Sequence, residues 1–130
     1  MTFSLWSFRS DKLAAVCISG CATKIKGAYV PNHRGVKPVF FMLAEEDQLC
    51  DSKKYHALID YVVDFQTDGV RRPVQCAGTD TVGRNAVSMA YYEAGSGGAD
   101  VQTCFYHGKH RFNKVALPYI VDFFKVHKLE

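Results

Sequence analysis

The sequence predicts a three-layer α/β domain: a short, mostly parallel sheet with a hairpin near residues 86–106 and helices on both faces. Two continuous apolar runs, residues 13–19 and 38–43, have the two-sided hydrophobicity of strands covered on both faces. Amphipathic stretches with helical spacing separate and follow these runs. Alternating apolar and polar positions in residues 86–93 and 101–106 flank a Gly-rich segment and read as a hairpin. At 130 residues and 48% apolar content, the chain has the length of one domain and enough apolar side chains for a core.

The elements follow in order. Met1, Leu5 and Phe8, with Phe3 and Trp6 beside them, have the spacing of an apolar helix face. Ser10 and Asp11 break it, and Leu13-Ala14-Ala15-Val16-Cys17-Ile18-Ser19 forms a buried strand ending at Gly20. A loop containing Gly27, Pro31, Asn32 and Gly35 leads to the second strand, which runs out into the acidic turn Glu45-Glu46-Asp47. Ser52 is placed to cap a helix reaching about Phe65, with Tyr55, Leu58, Ile59, Val62 and Val63 as its apolar stripe. Residues 67–84 read as loop, with a short strand at Val74-Gln75-Cys76-Ala77. After the hairpin, Leu117, Ile120, Val121 and Phe124 recur at i, i+3, i+4 and i+7 in a closing helix, with Pro118 tolerated in its first turn.

The formal net charge of +3 and the scattered lysines and arginines give no basic run, so charge offers no support for nucleic-acid binding. No apolar stretch approaches the roughly 18 residues of a membrane span, and the first six residues lack a signal-peptide pattern. Five cysteines without a Cys-x-x-Cys argue for reduced, structural thiols, while the odd count leaves room for one disulfide. No cofactor motif is present. A zinc site would have to join Cys17 and Cys21 to His33 or Cys50 across a loop, which argues against a metal.

The chemistry concentrates in Asp47 and in Phe105-Tyr106-His107-Gly108-Lys109-His110. A strand delivering an acid, then a later strand delivering a histidine, is the order of the last two members of an acyl-transfer triad. Asp47 has a second reading as the cap of the following helix. His107 is the alternative base, and the two histidines together could hold a metal. No Gly-x-Ser-x-Gly or Gly-x-Cys-x-Gly occurs in the chain. Ser96, in Gly95-Ser96-Gly97-Gly98, joins two hairpin strands and not a strand to a helix, so it reads as a turn residue.

Three segments carry a family resemblance. Asp11-Lys12-Leu13-Ala14-Ala15-Val16-Cys17-Ile18-Ser19-Gly20 is similar to an Asp-x-Phe-Ala-Ala-Val-x-x-x-Ser-Gly segment. Pro38-Val39-Phe40-Phe41-Met42-Leu43-Ala44-Glu45-Glu46-Asp47 is similar to an apolar strand ending His-Gly-x-x-Asp, with Leu43-Ala44 in place of His-Gly. His107-Gly108-Lys109-His110 is similar to Gly-x-Gly-His. In this order they resemble, over residues 1 to about 126, the C-terminal half of an α/β-hydrolase of the polyhydroxybutyrate depolymerase and feruloyl esterase type. The resemblance implies a single α/β-hydrolase-like domain holding part of the family's sheet. It implies that Asp47 orients His110, that His110 takes a proton from a serine, and that the serine lies upstream of Met1. The expected activity is cleavage of carboxylic esters, small or polymeric, with the chain inactive in isolation. The competing expectation is a non-catalytic interaction or dimerisation module in which Asp47 and His110 are remnants.

A strand as apolar as residues 13–19 needs neighbours on both sides, and the chain offers few. Pairing with a second copy or a separate N-terminal chain is therefore expected, with Leu5, Trp6, Val16 and Ile18 near the contact.

Overall fold

The computed structural model describes residues 5–6, 9–20, 36–76 and 86–128. The expected loop with Gly27, Pro31, Asn32 and Gly35, together with Met1, Phe3, Phe8, Cys21, His33, Ala77 and Arg84, lies outside the described residues.

Five strands form one sheet: β1 Val16–Ser19, β2 Val39–Ala44, β3 Arg71–Val74, β4 Val87–Tyr92 and β5 Val101–Tyr106, in spatial order β1-β2-β5-β4-β3. The β1–β2 and β2–β5 pairs are parallel, whereas β5–β4 and β4–β3 are antiparallel. Four strands thus run one way, with β4 alone reversed, and β4 and β5 make the expected hairpin. Helix α1 (Ser52–Gln66) covers one face and α2 (Leu117–Val126) the other. No helix among the described residues is long and apolar enough to cross a membrane.

The three layers follow from β2, whose Val-Phe-Phe-Met-Leu-Ala sequence is buried at every position. Alternation sends Val39, Phe41 and Leu43 toward α1, where they meet Trp6, Val16, Ile18, Tyr55, Leu58 and Val62. Phe40, Met42 and Ala44 point the other way, to Met89, Cys104, Ala116, Ile120 and Phe123. Each large side chain so buried contributes about 1.5–3 kcal/mol.

Four expectations need correction. The cap of α1 is Asp51, not Ser52; its carboxylate accepts from the N–H groups of Lys53 and Lys54. The short strand lies at Arg71–Val74, ahead of the expected 74–77, as an edge strand where Pro73 is tolerated and Arg72 pairs with Glu93 at 2.7 Å. On α2 the sheet takes Ile120 and Phe123, while Leu117, Val121 and Phe124 remain exposed. Trp6, Val16 and Ile18 are covered within the chain itself, so of the expected contact residues only Leu5 keeps substantial exposure.

Two polar side chains inside the core tie main chain together. The buried Tyr55 hydroxyl lies 2.9 Å from the Ile18 carbonyl oxygen and 3.3 Å from that of Met42, joining β1 and β2 near their C-terminal ends. Gln66, 2% exposed at the end of α1, donates to Lys37 O at 3.0 Å and accepts from Lys37 N at 3.2 Å. Its own carbonyl accepts from Ala99 N at 3.1 Å, so one residue holds the entries to β2 and β5.

Candidate active site

The C-terminal ends of β1, β2 and β5 open on the same edge of the sheet, where ligands of α/β sheets characteristically bind. Gly20, Asp47 and His110 stand in the three segments that leave these ends. The two later segments are joined by main chain before any side chain meets: Glu45 N donates to Tyr106 O at 2.9 Å and Glu46 N to Gly108 O at 3.2 Å. The Tyr106 hydroxyl, donating to the Arg111 carbonyl, closes the histidine loop from within.

On this frame Asp47 reaches His110, with Oδ2 2.7 Å from Nδ1. The other carboxylate oxygen, Oδ1, accepts from Leu49 N at 2.8 Å and Cys50 N at 3.0 Å. The Asp47 side chain is fully covered, and the His110 ring is 42% exposed. Burial pushes the Asp47 carboxyl up, but the hydrogen bonds from His110, Cys50 and Leu49 outweigh it and hold the group below its ordinary range. A carboxylate can only accept, so Nδ1 of His110 carries the proton and donates. Nε2 has no partner among the described residues, and its lone pair is available for a proton.

Each acid of the turn faces its own histidine. His56 Nε2 lies 3.1 Å from Glu45 Oε2, and His107 Nδ1 lies 3.8 Å from Glu46 Oε1. Only the third pair has a covered carboxylate with both oxygens bonded. His107 therefore turns to a different acid from His110, and among the described residues no three His, Cys, Asp or Glu side chains are grouped to hold a metal. Ser96 lies in the β4–β5 connection, at the opposite end of the sheet from the Asp47–His110 pair. Cys50 is buried and contributes its peptide N–H to Asp47.

Gly20 is the site residue whose role residue types alone do not reveal. Its φ is +54°, and a Cβ there would stand 2.8 Å from His110 Cε1. The Ser-Gly end of the first apolar run is its one trace in the sequence. A cleft of about 500 Å³ flanks the site where β3 and β5 end and β4 begins, lined by Glu45, Cys76, Ser88, Tyr106 and His107. A second cavity of about 520 Å³, at the other end of the sheet, is lined by Lys37, Asp100, His127 and Lys128.

No protein-family model matches the chain, and no curated protein matches it.

Proposed function

We propose that Asp47 and His110 are the orienting acid and the general base of a serine-hydrolase-type site that cleaves carboxylic esters, small or polymeric. The observation that carries the reading is the asymmetry of the pair: a wholly covered carboxylate, bonded at both oxygens, against a half-exposed imidazole. Such a carboxylate fixes the Nδ1–H tautomer and leaves Nε2 to receive a proton. In the proposed cycle a serine hydroxyl passes its proton to Nε2 as its oxygen attacks the acyl carbon. The protonated ring then returns that proton to the departing alkoxide, and water repeats the two transfers to release the acid.

The nucleophile is assigned to a strand that pairs with the outer edge of β1, contributed by sequence upstream of Met1 or by a separate chain. Val16 N and Gly20 N both donate into β2, so alternation turns the peptide groups of Cys17 and Ser19 to the outer edge. No described residue pairs there. A parallel strand on that edge would end beside Gly20, against His110. The resemblance of residues 11–20, 38–47 and 107–110 to the depolymerase and feruloyl esterase family supports the same assignment.

The test joins two measurements. The transcript upstream of Met1 is read for an in-frame Gly-x-Ser-x-Gly, and p-nitrophenyl ester turnover is measured on the protein that includes it. Turnover abolished by His110→Ala supports the reading. Turnover by the 130-residue chain that survives replacement of every serine would refute the assigned nucleophile. A second reading, a non-catalytic interaction module, is favoured by the absence of a nucleophile motif in these 130 residues. It prevails if no such motif precedes them and light scattering shows the chain paired through β1.

A further inference from the structure

His110 sits in an irregular loop and its ring is 42% exposed, so the single hydrogen bond to Asp47 leaves the imidazole free to swing unless something walls it in. The wall is main chain. The Cβ that Gly20 lacks would lie 2.8 Å from His110 Cε1, 3.1 Å from Nδ1 and 3.6 Å from Asp47 Oδ2. Those three atoms bracket the hydrogen bond itself. Any side chain at residue 20 would wedge against the ring at the point where it meets the carboxylate.

A glycine with positive φ can be required by backbone geometry alone, and Gly69 and Gly97 are of that kind. Their φ values are +75° and +79°, with nothing within 4 Å of the missing Cβ. Gly20 differs because the missing volume is filled by the histidine. It is also held in place: Gly20 N donates to Met42 O at 3.2 Å, an oxygen that the covered Tyr55 hydroxyl also reaches.

We infer that Gly20 is a positioning residue for His110, a bare main-chain wall that keeps the ring against Asp47 in the Nδ1–H tautomer. The inference rests on the acid–base reading of that pair and adds a third strand end to it. In water neutral imidazole favours the Nε2–H tautomer, so the tautomer ratio reports the positioning directly, with no need for turnover.

The experiment uses the full chain labelled with ¹⁵N-histidine, with long-range ¹H–¹⁵N correlation of the imidazole nitrogens at alkaline pH, where imidazole is neutral. The unaltered chain is expected to hold His110 as Nδ1–H. Gly20→Ala should lower the Nδ1–H to Nε2–H ratio at least several-fold, while Gly97→Ala, which carries comparable backbone strain without the contact, leaves it unchanged. A folded Gly20→Ala with the unaltered ratio would overturn the inference. Should Gly20→Ala not fold, the unaltered chain decides: a strong Overhauser effect between the Gly20 α-protons and the His110 ε1 proton is expected, and its absence overturns the contact. Asp47→Asn separates the two levels. If it leaves the ratio unchanged, the acid–base reading itself fails, whatever residue 20 does.

Discussion

Nδ1 of His110 and Oδ2 of Asp47 stand 2.7 Å apart across 63 residues of chain, the carboxylate wholly covered and the ring open to solvent. Glu45 and His56, by contrast, are 34% and 39% exposed, and Glu46 and His107 are more open still. Exposed pairs of this kind are worth little, because water screens both partners. The covered carboxylate has traded water for three protein donors, and losing one leaves an uncompensated charge.

Asp47 should therefore govern acid stability. Its folded pKa is depressed, so its contribution is complete above the unfolded carboxylate value of about 4 and is lost as pH falls through the folded value. Asp47→Asn is expected to cost about 2 kcal/mol at pH 7 and to flatten the loss of stability below about pH 4. Urea midpoints at neutral and acidic pH test both statements. An unchanged acid slope would show that the carboxylate is not set by its three donors.

At the far end of the sheet, Asp100 accepts from the Tyr91 hydroxyl at 2.5 Å and from Ala94 N at 2.8 Å, with His127 Nε2 3.7 Å away. Burial lowers the His127 pKa, and Asp100 only partly opposes this. The folded state prefers the neutral ring, so stability should decline as pH drops from the unfolded histidine value of about 6.5 through the lower folded value. His127→Gln should reduce the slope of thermal midpoint against pH between about 5 and 7. An identical slope in the variant would remove His127 from the account.

Tyr55→Phe keeps the ring and deletes only the hydroxyl that bonds Ile18 O and Met42 O. A loss of about 1–2 kcal/mol is expected, with unchanged dependence on urea concentration, since the surface exposed on unfolding stays the same. A neutral effect would mean the strand ladder alone satisfies those carbonyls.

Burial pushes the Cys17 thiol up to about 11 and the Cys104 thiol up to about 12. Both should resist iodoacetamide at about pH 8, because the thiolate is the reacting form. Cys76, partly exposed on the chain leaving β3, is the reference thiol. Peptide mapping after brief alkylation should find Cys76 modified ahead of Cys17 and Cys104; equal labelling would contradict the burial.

The Thr103 hydroxyl is buried in β5 and has no partner among the described residues. Thr103→Val, equal in shape, should raise stability by about 1 kcal/mol, measured by urea denaturation. A loss would reveal a polar contact for Oγ1.

The sheet was legible in the sequence because β2 is apolar at every position and a Gly-rich turn, residues 95–98, separates β4 from β5. Asp47 and His110 were legible too, as side chains with chemistry at the ends of such strands. The phase of α2 was not. Leu117, Tyr119, Ile120, Val121, Phe123, Phe124 and Val126 surround the helix, so its period is visible but not which stripe meets the sheet. The bounds of β3 were not legible either, because Arg-Arg-Pro-Val has little strand character and is held by its partner β4. Gly20 was legible only as a strand end, since its contribution to the site is a volume left empty for a residue 90 positions away.

Gln66 makes a different kind of statement about the molecule. Its side-chain amide mimics a neighbouring peptide unit to Lys37, and its carbonyl receives Ala99, neither of which belongs to a strand or helix. The amide protons of Lys37 and Ala99 are therefore trapped although they lie in connecting segments, and in deuterated solvent they should exchange only when α1 lifts from the sheet. The same crowding leaves no room at Gly98, where a Cβ would stand 2.1 Å from the Gln66 carbonyl oxygen. What looks like loop at the foot of the sheet thus opens and closes as one cooperative unit with its central strands.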